Sequence, residues 1–143
     1  MKTILSLSAL LITLTLTAQT NTATWYLNDT SGNGIQSDTN TASGNYSTAM
    51  GNQTTATNIH STAMGQGTIA SGQVSTSMGY DTTASGDWST AMGGLKTASG
   101  HHATALGYET TARGNSSCAV GRQATESGAD PTAQGRDTTA SVR

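Results

Sequence analysis

The sequence is poor in the residues that build an ordinary globular core. It has no phenylalanine, and aromatic residues make up 4% of its 143 residues. A single cysteine, Cys118, excludes an internal disulfide framework. Six lysines and arginines and eight acidic residues give a formal net charge of −2, so no nucleic-acid partner is expected. The sequence is rich in glycine instead, with 17 glycines and one proline, so the backbone conformation is expected to determine the fold.

Glycine recurs with a strict period from residue 38 to the end of the chain. One set falls every 14 residues, at Gly51, Gly65, Gly79, Gly93, Gly107, Gly121 and Gly135. A second set lies between them, at Gly44, Gly72, Gly86, Gly100, Gly114 and Gly128, with Asn58 and Val142 in the vacant positions. Because asparagine also tolerates a left-handed backbone, Asn58 predicts left-handed corners here. A period without insertions is typical of stacked repeats, so residues 38–143 are predicted to form one domain.

The repeat unit from Tyr80 to Gly93 predicts strands and turns. It holds two segments, Thr82–Ser85 and Ser89–Met92, each followed by glycine. Segments this short do not form helices, and threonine beside glycine favours strands and turns. Two strands and two turns in each repeat describe one coil of an all-β, parallel β-roll or solenoid. At about 4.8 Å between paired coils, seven coils form a rod roughly 34 Å long.

Alternation along each strand predicts an interior of small side chains. The positions of Ser47 and Ala49 in the second strand and of Ala42 in the first strand remain small in nearly every coil. Tight turns bring the two sheets close, so an interior made almost entirely of alanine and serine is expected. Glu126 in an alanine position and Pro131 in a strand mark a decay of the pattern. The decay predicts either a polar lower cap or a chain that continues further.

The opposite face of the second strand carries an apolar stripe. Burying a methionine-sized side chain is worth roughly 1.5–3 kcal/mol, against about 0.8 kcal/mol for an alanine methyl group. The stripe therefore predicts association with further copies of the chain. Its aliphatic ladder consists of Met50, Met64, Met78, Met92, Leu106 and Val120, before Gln134 ends it. A threonine ladder beside it consists of Thr48, Thr62, Thr76, Thr90 and Thr104, followed by Cys118 and Thr132.

The motif Ser-Thr-Ala-Met-Gly, followed by x-x-(Lys/Thr)-Thr-Ala-Ser-Gly, resembles the head repeat of trimeric autotransporter adhesins, the YadA-like head. The resemblance covers about three quarters of the chain. It implies a left-handed parallel β-roll, a homotrimer packed along the aliphatic ladders, and attachment at a bacterial surface to matrix, glycan or other cells. Threonine and methionine stand where the family usually has valine and isoleucine, which implies a more hydrated interface between the three chains. The family's stalk and membrane-anchoring barrel do not occur in these residues, so a fragment whose anchor follows Arg143 is expected.

The N-terminal residues lie outside the repeat. Residues 1–18 are predicted to be a secretory signal, because Lys2 precedes the apolar run from Ile4 to Leu16. The small residue Ala18 then provides the expected cleavage site. The run is shorter than the ~20 residues that span a membrane. Export to the cell surface, the outer membrane or the extracellular space is therefore expected. Within residues 19–37, the cluster Trp25–Leu27 is either a cap on the first coil or part of a linker.

No constellation of residues predicts catalysis, a metal site or a cofactor. His60, His101 and His102 are expected at outward corners, without cysteine or carboxylate partners at metal-binding spacing. A non-enzymatic protein is therefore predicted. If the rod attaches to a ligand, the variable corner positions are the expected contacts. These candidate ligand-facing corners are Tyr46, His60, Tyr80, Trp88, His102 and Tyr108.

Two other functions remain open beside the adhesin head. The outer face of the first strand carries a regular Thr-x-Ser array that resembles the Thr-x-Thr ladders of ice-binding solenoids, although Ile69 and Arg113 interrupt it. This alternative face consists of Thr41, Ser43, Thr55, Thr57, Ser71, Thr83, Ser85, Thr97, Ser99 and Thr111. The repeats are also compatible with a passive spacer in a fibre protein. The adhesin head is the leading prediction.

Overall fold

The computed structural model describes residues 26–27, 35–36 and 39–141. The predicted signal segment, Trp25 and the last two residues lie outside the described residues. Among the residues that are described, no helix is long and apolar enough to cross a membrane. The strands are β1 (Tyr26–Leu27), β2 (Ile35–Gln36), β3 (Thr41–Ala42), β4 (Thr48–Asn52), β5 (Thr55–Ala56), β6 (Thr62–Gln66), β7 (Ile69–Ala70), β8 (Thr76–Ala84), β9 (Thr90–Ala98), β10 (Thr104–Tyr108), β11 (Thr111–Ala112), β12 (Cys118–Arg122), β13 (Thr125–Glu126), β14 (Thr132–Arg136) and β15 (Thr139–Ala140).

Consecutive coils pair in parallel, in the register that the glycine period predicts. Ala49 in β4 lies opposite Ala63 in β6, and Leu106 in β10 lies opposite Val120 in β12. The short strands β3, β5 and β7 form a second parallel ladder, which the later short strands continue. β8 and β9 each run through both ladders and join them. The predicted all-β parallel solenoid is confirmed.

The interior consists of small side chains in columns along the solenoid. Ala42, Ala56 and Ala70 of the short strands and Ala49 and Ala63 of the long strands are fully buried. Buried serines close the turns, since the Ser47 hydroxyl donates to the carbonyl of Gly44 at 2.7 Å and Ser75 does the same to Gly72. These columns match the interior predicted from the strand alternation.

A third buried column departs from the prediction of an alanine and serine interior. Its residues begin the short strands or precede them, and most of them are threonine. The column consists of Asn40, Thr54, Thr68, Thr82, Lys96, Thr110 and Ala124. The expectation was wrong because it counted only the Ala42 column of the short strands, whereas the residue two positions earlier lies on the same face of the strand.

The glycine set that contains Asn58 has a steric cause, and the prediction of left-handed corners there was wrong. The backbone at Gly86 is not left-handed, and neither is that at Asn58. A Cβ atom on Gly86 would instead overlap the backbone carbonyl of Gly100 in the next coil. Asn58 is held by its own amide, which donates to the Ser71 carbonyl at 3.1 Å. This set of glycines therefore allows the coils to approach each other.

The described part of the N-terminal region extends the roll. β1 pairs with β2 in an antiparallel arrangement, and Ile35 of β2 lies beside Thr48 in the first complete coil. A strand pair in this position covers a strand edge that would otherwise be open. The predicted cap on the first coil would lie at this edge. It remains a prediction, because Trp25 lies outside the described residues.

Candidate functional site

The apolar stripe forms one continuous face of the molecule. We call it the seam face and define it by the outward threonine and aliphatic columns of the long strands, from Thr48 and Met50 to Cys118 and Val120. Met50 and Met92 are 36% and 39% exposed, and the other aliphatic residues of the column are half-buried. Each side chain covers part of its neighbour in the next coil, yet the outer surface of the column remains in solvent. The structure thus brings every predicted seam residue into one face.

The Thr-x-Ser array lies on the opposite side of the roll. Thr55, Ile69, Thr83 and Thr97 are aligned by the register of the short strands, with Ser85 and Ser99 in the parallel column. Ser85 and Ser99 are exposed, and Thr83 and Thr97 are half-buried. We call this surface the threonine face. It has the regular spacing that the sequence predicts, and its side chains are short and polar.

The candidate ligand-facing corners fall on two separate edges of the roll. The first edge, which we call the aromatic ridge, is the column Tyr46, His60, Val74, Trp88 and His102. The second, the tyrosine edge, is the column Tyr80, Gly94, Tyr108 and Arg122 at the ends of the long strands. All four tyrosine and tryptophan side chains in these columns are exposed. The six candidates therefore do not form a single site.

Rings on the aromatic ridge stack along the solenoid axis. Tyr46 and His60 lie with ring centroids 5.1 Å apart and an angle of 10° between planes. Trp88 and His102 stack at 5.1 Å and 9°. His101 lies against Trp88 at 5.3 Å, and its Nε2 is 3.4 Å from Oδ2 of Asp87. The ridge therefore presents ordered aromatic edges and faces to solvent.

The tyrosine edge is organised by cations. Lys96 Nζ lies 5.5 Å from the ring centroid of Tyr108, and the Arg122 guanidinium lies 5.9 Å from it. The Tyr108 ring also covers Gly94, where an added Cβ atom would meet Cδ2 of the ring at 3.2 Å. Cation–π contacts of this kind stabilise by about 0.5–2 kcal/mol. Tyr108 is thus fixed in place, with one part of its ring already covered.

The residues of the aromatic ridge, and those that directly follow the tyrosine edge, are held in a left-handed backbone conformation, which the sequence patterns did not reveal. Outside glycine, thirteen described residues have φ between 46° and 58°, including Val74, Trp88 and Leu95. Each L-residue in this region costs roughly 1–2 kcal/mol. The conformation is imposed by the ladder between coils, in which the Trp88 N–H donates to the Gln73 carbonyl at 2.8 Å.

Lys96 is a buried ionisable residue. Its burial was not predicted, because the motif has lysine in this repeat at a position where most other repeats have threonine. It is 1% exposed, and its Nζ donates to the Gly94 carbonyl at 2.7 Å. Burial lowers the pKa of its ammonium group from 10.5 to about 8, and Glu109 opposes this by raising it. The threonines of its column, at 14-residue spacing, were the signal that placed this position inside.

Replacing Lys96 with threonine is expected to stabilise the protein at neutral pH. Between pH 8 and 10.5 the unfolded chain binds a proton at Lys96 that the folded chain has lost, so wild-type stability rises with pH across this window. At pH 7 the burial of the charged form costs about 1–3 kcal/mol. Lys96→Thr should recover this free energy of unfolding and flatten the pH dependence, as measured by denaturant unfolding. An unchanged slope between pH 8 and 10.5 would contradict it.

Glu126 is fully enclosed by the roll. It lies between Ala112 and Ala140 in the alanine column, and neither carboxyl oxygen has a hydrogen-bond partner in the described structure. Burial raises the pKa of its carboxyl group above 4.5. Ala124 replaces a threonine of the neighbouring buried column in the same coil, which leaves volume on this side of the strand.

Replacing Glu126 with alanine is expected to stabilise the protein at pH 7 and much less at pH 4. A raised pKa means that the folded state favours the protonated form, so stability is fully present below 4.5 and falls as pH rises through the raised pKa. An unpaired buried group costs about 1–3 kcal/mol, which is the expected gain at neutral pH. Glu126→Gln, which keeps the shape, separates charge from volume. Equal effects of Glu126→Ala at pH 4 and pH 7 would exclude the buried charge as the cause.

The histidines do not form a metal site. In the part of the chain that the structure describes, no three His, Cys, Asp or Glu side chains come together in a group that could hold a metal ion. Cys118 is a free thiol at a threonine position of the seam face.

Comparison with known families decides how these features are understood. The family model described as YadA head domain repeat (2 copies) matches residues 42–68, 70–95 and 98–124. The chain belongs to the YadA head-repeat family. No curated protein sequence matches it. The matched residues contain the seam face, both edges and most of the threonine face of this YadA-like head. Membership gives the chain an adhesin-type role, in a family that is not known as enzymatic.

Proposed function

We propose that this YadA-like head is an exported, non-enzymatic adhesin head that forms a homotrimer along the seam face. The observation that carries the proposal is the unbroken apolar column of Met50, Met64, Met78, Met92 and Leu106, whose outer surface is uncovered by the residues that the structure describes. Apolar side chains of this size gain roughly 1.5–3 kcal/mol each when they are fully buried. Copies that pack column against column gain this free energy in every coil.

A closed arrangement suits this column better than an open one. The seam face runs along one side of a rod, so identical copies can bury it around an axis parallel to the rod. Closed cyclic assemblies of this kind do not grow into fibres. Three copies are the number implied by the family. Thr62 and Thr76 beside the aliphatic column remain able to hydrogen-bond to water or to a neighbouring chain.

With the seam face buried in the trimer, the two edges and the threonine face form the outer surface. The edges carry the exposed aromatic residues, which suit contacts with extracellular matrix, glycan or a cell-surface ligand. The formal net charge of −2 offers no strong electrostatic attraction for a polyanion. Recognition by aromatic side chains is therefore the mode that this surface supports best.

The adhesive function is tested with beads that carry the purified protein. Adherence is counted on surfaces coated with matrix proteins, on immobilised glycans and on cultured cells. The triple variant Tyr46→Ser, Trp88→Ser, His102→Ser removes the aromatic ridge, and Tyr80→Ser, Tyr108→Ser removes the tyrosine edge. We expect at least one of the two to lower adherence about tenfold, whereas Ser85→Ala, Ser99→Ala on the threonine face leaves it unchanged. Absence of adherence to every surface would reject the proposal.

Export and surface localisation rest on the N-terminal residues. We propose that residues 1–18 are removed during secretion and that the head is held at the cell surface or outer membrane through an anchor that follows Arg143. The mass of the secreted protein tests the first part, because cleavage after Ala18 leaves Gln19 as the N-terminal residue. An N-terminus at Met1 in the exported protein would contradict it.

Ice binding is a second candidate, favoured by the register of the threonine face. The parallel ladder aligns Thr83, Thr97 and Thr111 at the spacing of the coils, about 4.8 Å, on a surface free of large side chains between them. Thermal hysteresis of the purified protein tests it. Growth of ice crystals without shaping at high protein concentration would remove this candidate and would leave the adhesin proposal untouched.

A further inference from the structure

The ladder of rings on the aromatic ridge is interrupted at one coil. Tyr46 stacks on His60 on one side, and Trp88 stacks on His102 on the other. Val74 occupies the coil between these two pairs, as the bonds from the Val74 N–H to the Ile59 carbonyl and from the Trp88 N–H to the Gln73 carbonyl show. Its side chain is much shorter than an imidazole or an indole. The ridge therefore has a gap whose floor is Val74 and whose walls are His60 and Trp88.

The width of the gap follows from the coil repeat. His60 and Trp88 are two coils apart, which corresponds to about 9.6 Å along the axis. A ring placed midway lies about 4.8 Å from each wall, within the 4.5–7 Å range of stacked rings. Both walls belong to pairs whose planes are nearly parallel, at 10° and 9°. The gap therefore has the width for one ring between the His60 and Trp88 side chains.

Folding alone does not explain the residues that form this gap. Val74 and Trp88 both have φ of 55°, where β-branched and bulky residues are strained and glycine or asparagine is relaxed. Their side chains are 40% and 45% exposed, so neither contributes a buried core contact to offset the strain. The ladder imposes this strain on every described residue of the column, so it is the choice of valine and tryptophan, where asparagine or glycine would be relaxed, that points to a role beyond folding.

A polar group stands at the rim of the gap. Asp87 precedes Trp88, and its Oδ1 accepts a hydrogen bond from the Gln73 N–H at 2.8 Å. Its other oxygen, Oδ2, lies 3.4 Å from Nε2 of His101. The carboxylate is thus held in one orientation by its neighbours, and its remaining lone pairs are able to accept hydrogen bonds from hydroxyl groups.

We propose that the gap between His60 and Trp88 is a glycan subsite that takes one pyranose ring over Val74. The apolar faces of the sugar stack on the indole and the imidazole, and hydroxyl groups at its edge donate to the Asp87 carboxylate. An aromatic side chain of a peptide also stacks between rings, but it brings at most one hydroxyl group to the carboxylate. A sugar, with an apolar face and a hydroxyl edge, uses both parts of the site. The inference rests on the proposed adhesive function and names its ligand class.

The test is a titration of the purified protein with methyl β-D-galactopyranoside and methyl β-D-glucopyranoside, up to about 50 mM. The Nε1–H resonance of Trp88 is followed by NMR, with Trp25→Phe to assign it. We expect a saturable shift with at least one sugar and a Kd of about 1–10 mM, the range of a single weak contact. Val74→Trp fills the gap and should weaken binding at least tenfold. Val74→Ala keeps it open and should bind within about twofold of wild type.

The two variants are matched, because both place a non-glycine residue in the same left-handed position and Trp88 occupies the equivalent position one coil away. Circular dichroism verifies that both are folded. A shift that survives Val74→Trp, or no saturable shift with either sugar, overturns the subsite. A shift with a tyrosine-containing peptide and none with the sugars overturns the ligand class. If beads still adhere to cells in these cases, the adhesin function stands; if beads adhere to nothing, the function itself fails.

Discussion

Replacing Met78 with aspartate is expected to convert the trimer to monomers or to unfold it. Met78 lies between Met64 and Met92 in the aliphatic column, so its side chain is at the middle of the seam face. In a trimer the substitution puts three carboxylates into a water-excluded interface without partners, and each costs several kcal/mol. Even about 4 kcal/mol in total weakens the assembly roughly a thousandfold.

Sedimentation equilibrium and thermal unfolding measure the effect of Met78→Asp. The matched control is Ser85→Asp, which adds the same charge to the threonine face of the same coil, where the side chain is exposed. The control should remain trimeric and should unfold within a few degrees of wild type. If Met78→Asp has the same mass and stability as Ser85→Asp, the seam face is not an interface.

Replacing Gly100 with alanine is expected to destabilise the roll by more than about 4 kcal/mol, a magnitude that marks disruption of a fold. A Cβ atom at this position would overlap the Gly114 carbonyl oxygen in the next coil. That oxygen belongs to the backbone and has no room to move, because the Ser117 N–H donates to it at 3.3 Å. The two coils must separate to relieve the overlap, and the ladder bonds around them are lost.

Gly94→Ala is the matched control for Gly100→Ala. Its added Cβ atom meets a side chain, the ring of Tyr108 at 3.2 Å, which can rotate away. Denaturant unfolding followed by circular dichroism should show a loss of at most about 1 kcal/mol for this variant, as for other surface changes. A Gly100→Ala variant that is as stable as Gly94→Ala would show that the coils tolerate a wider spacing.

Most of the fold could be predicted from the period alone. A register of 14 residues places Met50 beside Met64 and Ala49 beside Ala63, whatever the details of the turns. The seam face needed only this register and the alternation of a strand. The columns of small residues at Ser47 and Ala49 follow from the same two facts.

The period does not fix where each turn begins and ends within a coil. Alternation from the buried Ala84 places Thr82 on the interior face, and the structure buries it. The register likewise puts Lys96 and Glu126 in interior columns, but it did not reveal that the roll encloses ionisable groups there. The left-handed corners were assigned to the set of Asn58, whereas they lie two residues further on, at positions such as His60 and Trp88. The division of the six corner candidates between two edges follows from the same geometry.

The mass of the purified protein in solution tests the trimer most directly. One chain has a mass of 14.5 kDa before any processing. Size-exclusion chromatography with light scattering at micromolar concentration should give three times the mass of the chain that mass spectrometry measures for the same sample. A mass equal to one chain, together with the circular dichroism of an intact β-roll, would leave the methionine column facing water and would contradict the trimer.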